Sequence, residues 1–511
     1  MLLSLVYINC DYLQAQTTIP RFEEGERVVF VGNSITHGGH YHSFIWLYYM
    51  TRFPDKPITI MNAGIGGESA WDMKDRLDYD VFNRKPTYVT LTFGMNDTGY
   101  DIYMKDDAKE LSEQRIAKSL ESYREIEERL LAKNKIKKVL IGGSPYDETS
   151  RFNNFILHNK NNAILKIIDA QRTSTKKNGW GFVDFNQPMR EISRKEQEAD
   201  STFTFCRIDR IHPDNDGQMV MAYLFLKAQG LAGDEVSSVS IDAYHSSVIT
   251  HKNCKISKLK KSGADLTFDY LAYALPYPLD SISRSGWGNK RSQRDAMQLV
   301  PFMEEFNQER FQVTNLEKGM YRLTIDNQFI DNLSSEKLAN GVNLADYPNT
   351  PQYQQAAKIM YLNEERFEVE KRFREYLWTE YSFLKKEGLL FADDQKAIDK
   401  LKEYLPKDGF LRMSYDWYIK AMNPEIREVW SNYMKTIVET IYKINKLVTI
   451  MYDIYPETTS DDEFLFAVLP IAFAMLKMPE LIDSVNESKQ ENAISVNLRH
   501  DLRYLLEADD E

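Results

Sequence analysis

Only three cysteines, at positions 10, 206 and 254, are scattered through the 511 residues. That is too few for a disulfide framework, and their spacing matches no zinc site. A Cys206–Cys254 pair stays open for an oxidising compartment. An excess of basic charge is also missing. The net charge is −12, and the short basic runs at 137–138 and 260–261 are isolated, so no patch could hold a phosphate backbone and nucleic acid is not expected as a partner. No window reaches the ~18 apolar residues needed to span a bilayer. The stretch 464–476 comes closest, but it is short, contains Pro470 and reads as a buried helical segment. Repeats at solenoid periods are absent too. What remains is an ordinary globular composition, 43% hydrophobic and 27% charged, in a chain longer than one core usually organises, so two or three domains are expected.

An apolar run at 2–8, followed by Leu13-Gln14-Ala15, has the core and the small residue of an export signal without its positively charged start. Residues 1–20 are therefore read as a signal peptide, which makes the protein periplasmic or secreted. A disordered tail on a cytoplasmic protein is the alternative.

Residues 21–235 alternate apolar runs with helical periodicity, the pattern of a parallel sheet with crossover helices. The strands are expected at 28–31, 58–61, 88–93, 139–141 and 182–185, and the helices near 40–53, 107–134, 152–177 and 216–230. Over 236–348 the period changes to two, as in Val239, Ile241 and Ala243 or Tyr321, Leu323 and Ile325. With turn signals between the runs, this reads as a small antiparallel β module. An exposed insertion at 281–294 carries Trp287, which either stacks on a sugar ring or packs between modules. Residues 349–511 show three- and four-residue apolar spacing and read as a helical C-terminal region punctuated by Pro406 and Pro424. The stretch from 449 onward changes flavour and ends acidic, without a functional reading.

Four short motifs fall at or just after strand ends, where ligands bind in open α/β sheets. Gly32-Asn33-Ser34 puts a serine on a strand-to-helix turn, where its hydroxyl and its own N–H face one space. Taken alone, this is also an ordinary helix N-cap. Asn62-Ala63-Gly64-Ile65-Gly66-Gly67 is a glycine-rich turn that can bring backbone N–H groups to a ligand oxygen. Gly94-Met95-Asn96-Asp97 offers a side-chain amide, a neutral donor suited to an oxyanion that exists only in the transition state. In Asp209-Arg210-Ile211-His212-Pro213 the aspartate can orient a histidine three residues on, fixing the tautomer that leaves the other ring nitrogen as base. Each motif has a bland reading; the four in this order do not.

Taken together, the motifs resemble the SGNH hydrolase (GDSL esterase/lipase) superfamily over residues 25–232. The resemblance implies a flavodoxin-like three-layer α/β/α fold with Ser34 as nucleophile, His212 as general base and then acid, and Asp209 orienting His212. It also implies an oxyanion hole built from the N–H of Ser34, the N–H of Gly67 and the amide of Asn96. Asn33 stands where the family usually has aspartate; its role is read as structural, through hydrogen bonds to nearby backbone. Neither a cofactor nor a metal is implied. His37, His40 and His42 do not share a helical face, so metal ligation is not expected and they read as pocket lining or plain surface. Ser144-Pro145-Tyr146-Asp147 follows the fourth strand, at the edge where it either lines the pocket or forms a plain turn. His37, Tyr146 and Trp287 are the candidate substrate-binding residues.

The appended modules and the export signal resemble large exported proteins of polysaccharide-degrading bacteria. That resemblance implies a serine esterase removing acetyl groups from a carbohydrate. A lipase or thioesterase acting on longer acyl chains, and a catalytically vestigial glycan-binding protein, are the alternatives. Acylated small molecules or polysaccharides are the expected partners; the sugar, the linkage and the oligomeric state are not encoded in any motif.

Overall fold

Five apolar runs of the first 184 residues become five parallel strands: β1 (Arg27–Gly32), β2 (Thr59–Gly64), β3 (Tyr88–Leu91), β4 (Lys137–Gly142) and β5 (Gly181–Asp184). Their order is β2-β1-β3-β4-β5, the flavodoxin-like doubly wound order. Val28 to Gly32 of β1 are all buried, as expected for a strand covered on both faces. The helices α1 (Ser34–His37), α2 (Tyr41–Arg52), α3 (Ala70–Arg76), α4 (Ala108–Leu131), α5 (Lys160–Asn178), α6 (Asn186–Glu196) and α7 (Asn215–Ala228) connect and follow these strands. In α4 the buried Ile116, Ser119, Tyr123, Ile126 and Leu130 recur at three- and four-residue spacing, a single stripe turned to the core. Every residue of α2 is buried instead, because it packs against both α7 and a helix of the C-terminal region.

The computed structural model describes residues 18–457, apart from 154, 208 and 285–290. Most of the expected export segment, Trp287 and residues 458–511 lie outside the described residues.

The β module contains two sheets. One holds β6 (Ser237–Asp242), β7 (Ser247–Lys252), β10 (Glu309–Thr314) and β13 (Val342–Asn343), in the order β13-β10-β6-β7. Here β6 and β10 run parallel, an exception to the antiparallel expectation. The other holds β8 (Cys254–Ser262), β9 (Asp265–Ala272), β11 (Met320–Ile325), β12 (Gln328–Ser334) and β14 (Ile450–Pro456), all antiparallel in the order β12-β11-β14-β9-β8. Strand β14 corrects the sequence reading, which gave 349–511 to a helical region. Ile450, Tyr452 and Ile454 alternate inward and join Phe268, Phe311 and Leu323 in the module's core. A period-two run of seven residues is easily lost beside long helices. Cys206 and Cys254 are buried free thiols, so the pairing left open above is not formed.

After the short helices α8 (Phe302–Phe306) and α9 (Ser335–Asn340), the C-terminal region is helical as expected up to residue 444: α10 (Pro351–Thr379), α11 (Gln395–Tyr404), α12 (Gly409–Ala421) and α13 (Pro424–Ile444). Two of these starts follow directly from sequence. Thr350 caps α10 by accepting from the Tyr353 N–H, Asn423 caps α13, and each cap is followed by a proline at the first helical position.

Candidate active site

The end of β1 delivers Ser34 to the first position of α1. Asn33 is the N-cap, its side chain accepting from the Ile35 N–H at 3.0 Å. The aspartate expected by resemblance is thus replaced by a residue that makes the same kind of backbone bond without the charge. Gly32 must be glycine, because a Cβ there would lie 2.1 Å from Thr36 Oγ1. Asn62, at the end of β2, donates to the carbonyls of Thr36 and His37 at 3.1 and 3.0 Å and accepts from the Gly64 N–H. It fastens the glycine-rich turn to the serine helix.

Ser34 Oγ lies 2.8 Å from His212 Nε2. His212 Nδ1 bonds Asp209 Oδ2, and Asp209 Oδ1 accepts from the N–H groups of Ile211 and His212 at 2.9 and 3.0 Å. Burial raises the Asp209 carboxyl, but the hydrogen bond and charge of His212 and the two backbone donors outweigh it and hold the group below its ordinary value. A charged Asp209 keeps the proton on Nδ1, so that Nε2 can accept the serine proton.

Sequence reasoning passed over Arg210, between Asp209 and His212. It is buried and sits at φ +64°. Its guanidinium donates to the carbonyls of Asp147, Ser150 and Asn153 at 3.0, 3.0 and 2.7 Å, and its own carbonyl accepts from the Asp147 N–H. The Asp-x-x-His turn is clamped from within. A lone arginine inside a motif carries no signal of this.

Asn96 follows β3. Its Nδ2 donates to the Glu68 carbonyl at 2.8 Å, and its Oδ1 accepts from the Tyr100 hydroxyl at 2.7 Å. These two bonds fix which end of the amide is nitrogen and leave its second N–H uncommitted to either partner. The loop itself is tightly held. Asp97 accepts from the N–H groups of Ala70 and Gly94 and from Ser119 Oγ. Arg115 holds the carbonyls of Asn96 and Asp97. Lys160 Nζ donates to Met95 O, Thr98 Oγ1 and Gly99 O at 2.7, 2.9 and 2.6 Å, and lies 4.0 Å from the Tyr100 ring centre. Gly67, at φ +82°, is in the left-handed region that favours glycine. Among the described residues, no hydrogen bond is formed by the N–H of Ser34 or of Gly67.

The expected substrate-binding residues fare differently. His37 is buried between the glycine-rich turn and α10: Nδ1 accepts from the Gly66 N–H at 3.1 Å, and Nε2 lies 3.5 Å from Glu375 Oε1. Tyr146 is 2% exposed, and its hydroxyl accepts from the Leu157 N–H at 3.1 Å, so it braces the chain after β4. His40 and His42 belong to the buried seam with α10, His40 pairing with Glu364 at 2.8 Å and His42 bonding the Thr36 carbonyl.

A family model described as GDSL-like Lipase/Acylhydrolase matches residues 30–220, and one described as Diltiazem deacetylase C-terminal helical domain matches residues 357–446. A solved structure of a gut microbial diltiazem-metabolizing enzyme is 49% identical; the match covers 87% of this chain and 100% of that one, with a TM-score of 0.84. An acetylxylan esterase of Geobacillus stearothermophilus is 24% identical over 227 residues, 40% of this chain and 94% of that protein. With these relatives and the parallel sheet carrying the four motifs, the chain belongs to the GDSL-like lipase/acylhydrolase family, the SGNH hydrolases, and is a carboxylic ester hydrolase.

Proposed function

We propose that Ser34 is the nucleophile of an acetylesterase whose natural substrate is an O-acetylated carbohydrate. The observation that carries the mechanism is the 2.8 Å contact between Ser34 Oγ and His212 Nε2, with Asp209 behind the ring. As Ser34 Oγ attacks the ester carbonyl, His212 Nε2 takes its proton. The negative charge then forming on the carbonyl oxygen is held by the N–H groups of Ser34 and Gly67 and the uncommitted N–H of Asn96. His212 returns the proton to the leaving alcohol, the acetyl group stays on Ser34, and a water activated by His212 releases acetate.

The acyl group is supported by what two relatives have in common. One is an acetylxylan esterase, and the helical domain is matched by a model described as belonging to a deacetylase. The alcohol rests on the resemblance of the sequence to large exported proteins of polysaccharide-degrading bacteria and on the acetylxylan esterase among the relatives. A second reading, the acetate ester of a small molecule such as diltiazem, is favoured by the 49% identity that extends through the helical region. Acetate release from acetylated xylan, from diltiazem and from a p-nitrophenyl ester series tests both. The carbohydrate reading predicts turnover of the acetylated glycan and a steep fall in the ester series beyond butyrate. Release from diltiazem alone transfers the assignment to the second reading, and fastest turnover of long acyl chains overturns both.

A further inference from the structure

The helical region reaches the glycine-rich turn by four separate routes. Ile65, fully buried, belongs to the same apolar cluster as Val369, Tyr376, Leu377 and Phe383. The Asn62 N–H donates to Glu370 Oε1 at 2.8 Å, and Glu370 is itself held by Arg366 at 2.7 Å. The Gly66 N–H bonds His37, which faces Glu375.

The fourth route is a ladder of buried charges. Arg374 of α10 grips Asp80 with two bonds of 2.8 Å, Asp80 bonds Arg76 at 2.7 Å, and Arg76 bonds Glu68 at 2.6 Å. Each of these side chains is at most 6% exposed. Glu68 directly follows Gly67, and its carbonyl is the acceptor that orients the Asn96 amide. Both non-serine donors of the oxyanion hole therefore hang on a segment fastened to α10. Burial pushes the Glu68 carboxyl up to about 7 against the pull of Arg76, whereas at Asp80 three arginines outweigh burial and hold the carboxyl far below its usual range.

We propose that α10 is a splint for the oxyanion hole and that Arg374, through Asp80, Arg76 and Glu68, is a positioning residue for ester hydrolysis. This rests on the esterase reading above. The helical region then belongs to the catalytic unit instead of being an accessory module. It sets the Gly67 and Asn96 donors, which matter only when the tetrahedral oxyanion has formed. Loss of the grip should appear in kcat and spare KM.

The test uses the full chain with Arg374→Met, Arg374→Lys, Glu68→Gln and the control Leu323→Ala. Leu323 is fully buried in the core of the β module, a cluster that includes neither α10 nor the glycine-rich turn. The proposal predicts a fall in kcat of about 10–100-fold for Arg374→Met and Glu68→Gln, the scale of a displaced catalytic group. KM should stay within about twofold, and affinity for a boronic acid that mimics the tetrahedral intermediate should weaken in parallel with kcat. Arg374→Lys, which keeps one point charge, should recover part of kcat. Leu323→Ala should lower the melting temperature and leave kcat alone. Should Arg374→Met fail to fold, Arg374→Lys and Glu68→Gln decide the matter. Wild-type kcat and boronate affinity in folded ladder variants, or a kcat loss of the same size in Leu323→Ala, would overturn it. Failure of the esterase reading looks different, since wild type itself would then release no acetate from any ester.

Discussion

At the scale of single residues, the proposed chemistry depends on orientation more than on unusual side chains. Asn96 has an amide whose two ends are told apart by Tyr100 and the Glu68 carbonyl. Removing it, in Asn96→Ala, should lower kcat by about 10²-fold or more with little change in stability, the usual effect of losing one oxyanion donor. Tyr100→Phe should give a smaller loss, about tenfold, because the amide remains but is then held by the Glu68 carbonyl alone. Steady-state kinetics with a melting curve separates both from misfolding. Asp209→Asn should be more severe, about 10⁴-fold by precedent in serine proteases, since the wrong tautomer of His212 would face Ser34. Its carboxyl is held below its ordinary value in the fold. The stability it contributes is therefore full above about pH 4, its unfolded value, and is lost as pH falls through the lower folded value. Denaturant melts of wild type and Asp209→Asn should converge on acidification.

Ser34, Asp209 and His212, which the fold brings together, and the proposed donors Gly67 and Asn96 each sit in a short motif whose order along the chain is itself a signal. Arg210, Tyr100 and Lys160 were not legible in sequence. Their work is to hold carbonyls and one amide oxygen, and nothing in the sequence marks an arginine or lysine whose partners are distant backbone.

At the scale of elements, the loop after β3 is fixed from two helices at once, by Arg115 of α4 and Lys160 of α5. Lys160→Met would leave the buried carbonyls of Met95 and Gly99 without this donor. A net loss of about 1–3 kcal/mol is expected, the cost of burying unpaired polar groups after relief of the lysine's own burial, and kcat should fall with it. Unfolding by denaturant gives the first quantity and ester turnover the second. An unchanged stability would mean that water replaces the ammonium. The five parallel strands and their helices were readable because a doubly covered sheet leaves long apolar runs. Strand β14 was not, since its partners β9 and β11 lie more than a hundred residues earlier in the chain.

At the scale of the whole molecule, the described chain is less modular than its changes of periodicity suggest. The apolar core around the parallel sheet takes in Ala356, Ile359 and Met360 of α10 and Ile437 and Ile441 of α13. Buried Asn363, Arg366, Glu370 and Arg374 form a polar stripe along α10; Asn363 bonds Ser43, and Arg374 bonds Asp80. Breaking one partner of such a buried ion pair usually costs about 3–5 kcal/mol. The β module closes only when β14 returns from beyond the helices. A chain ending at residue 449 should therefore expose the facing edges of β9 and β11 and aggregate, which light scattering of the purified protein would reveal. A soluble, monodisperse product would show that the module's core survives without its central strand.

The central claim is that Ser34 carries the acyl group, and a trapped intermediate tests it most directly. Rapid acid quenching of the protein during turnover of an activated acetate ester, followed by digestion and mass analysis of the peptides, reads out the acetylated residue. The account predicts one acetyl group on the peptide containing Ser34, absent in Ser34→Ala and accumulating when deacylation is slowed. Acetate release with no acetyl group on Ser34, or turnover that survives in Ser34→Ala, would contradict it.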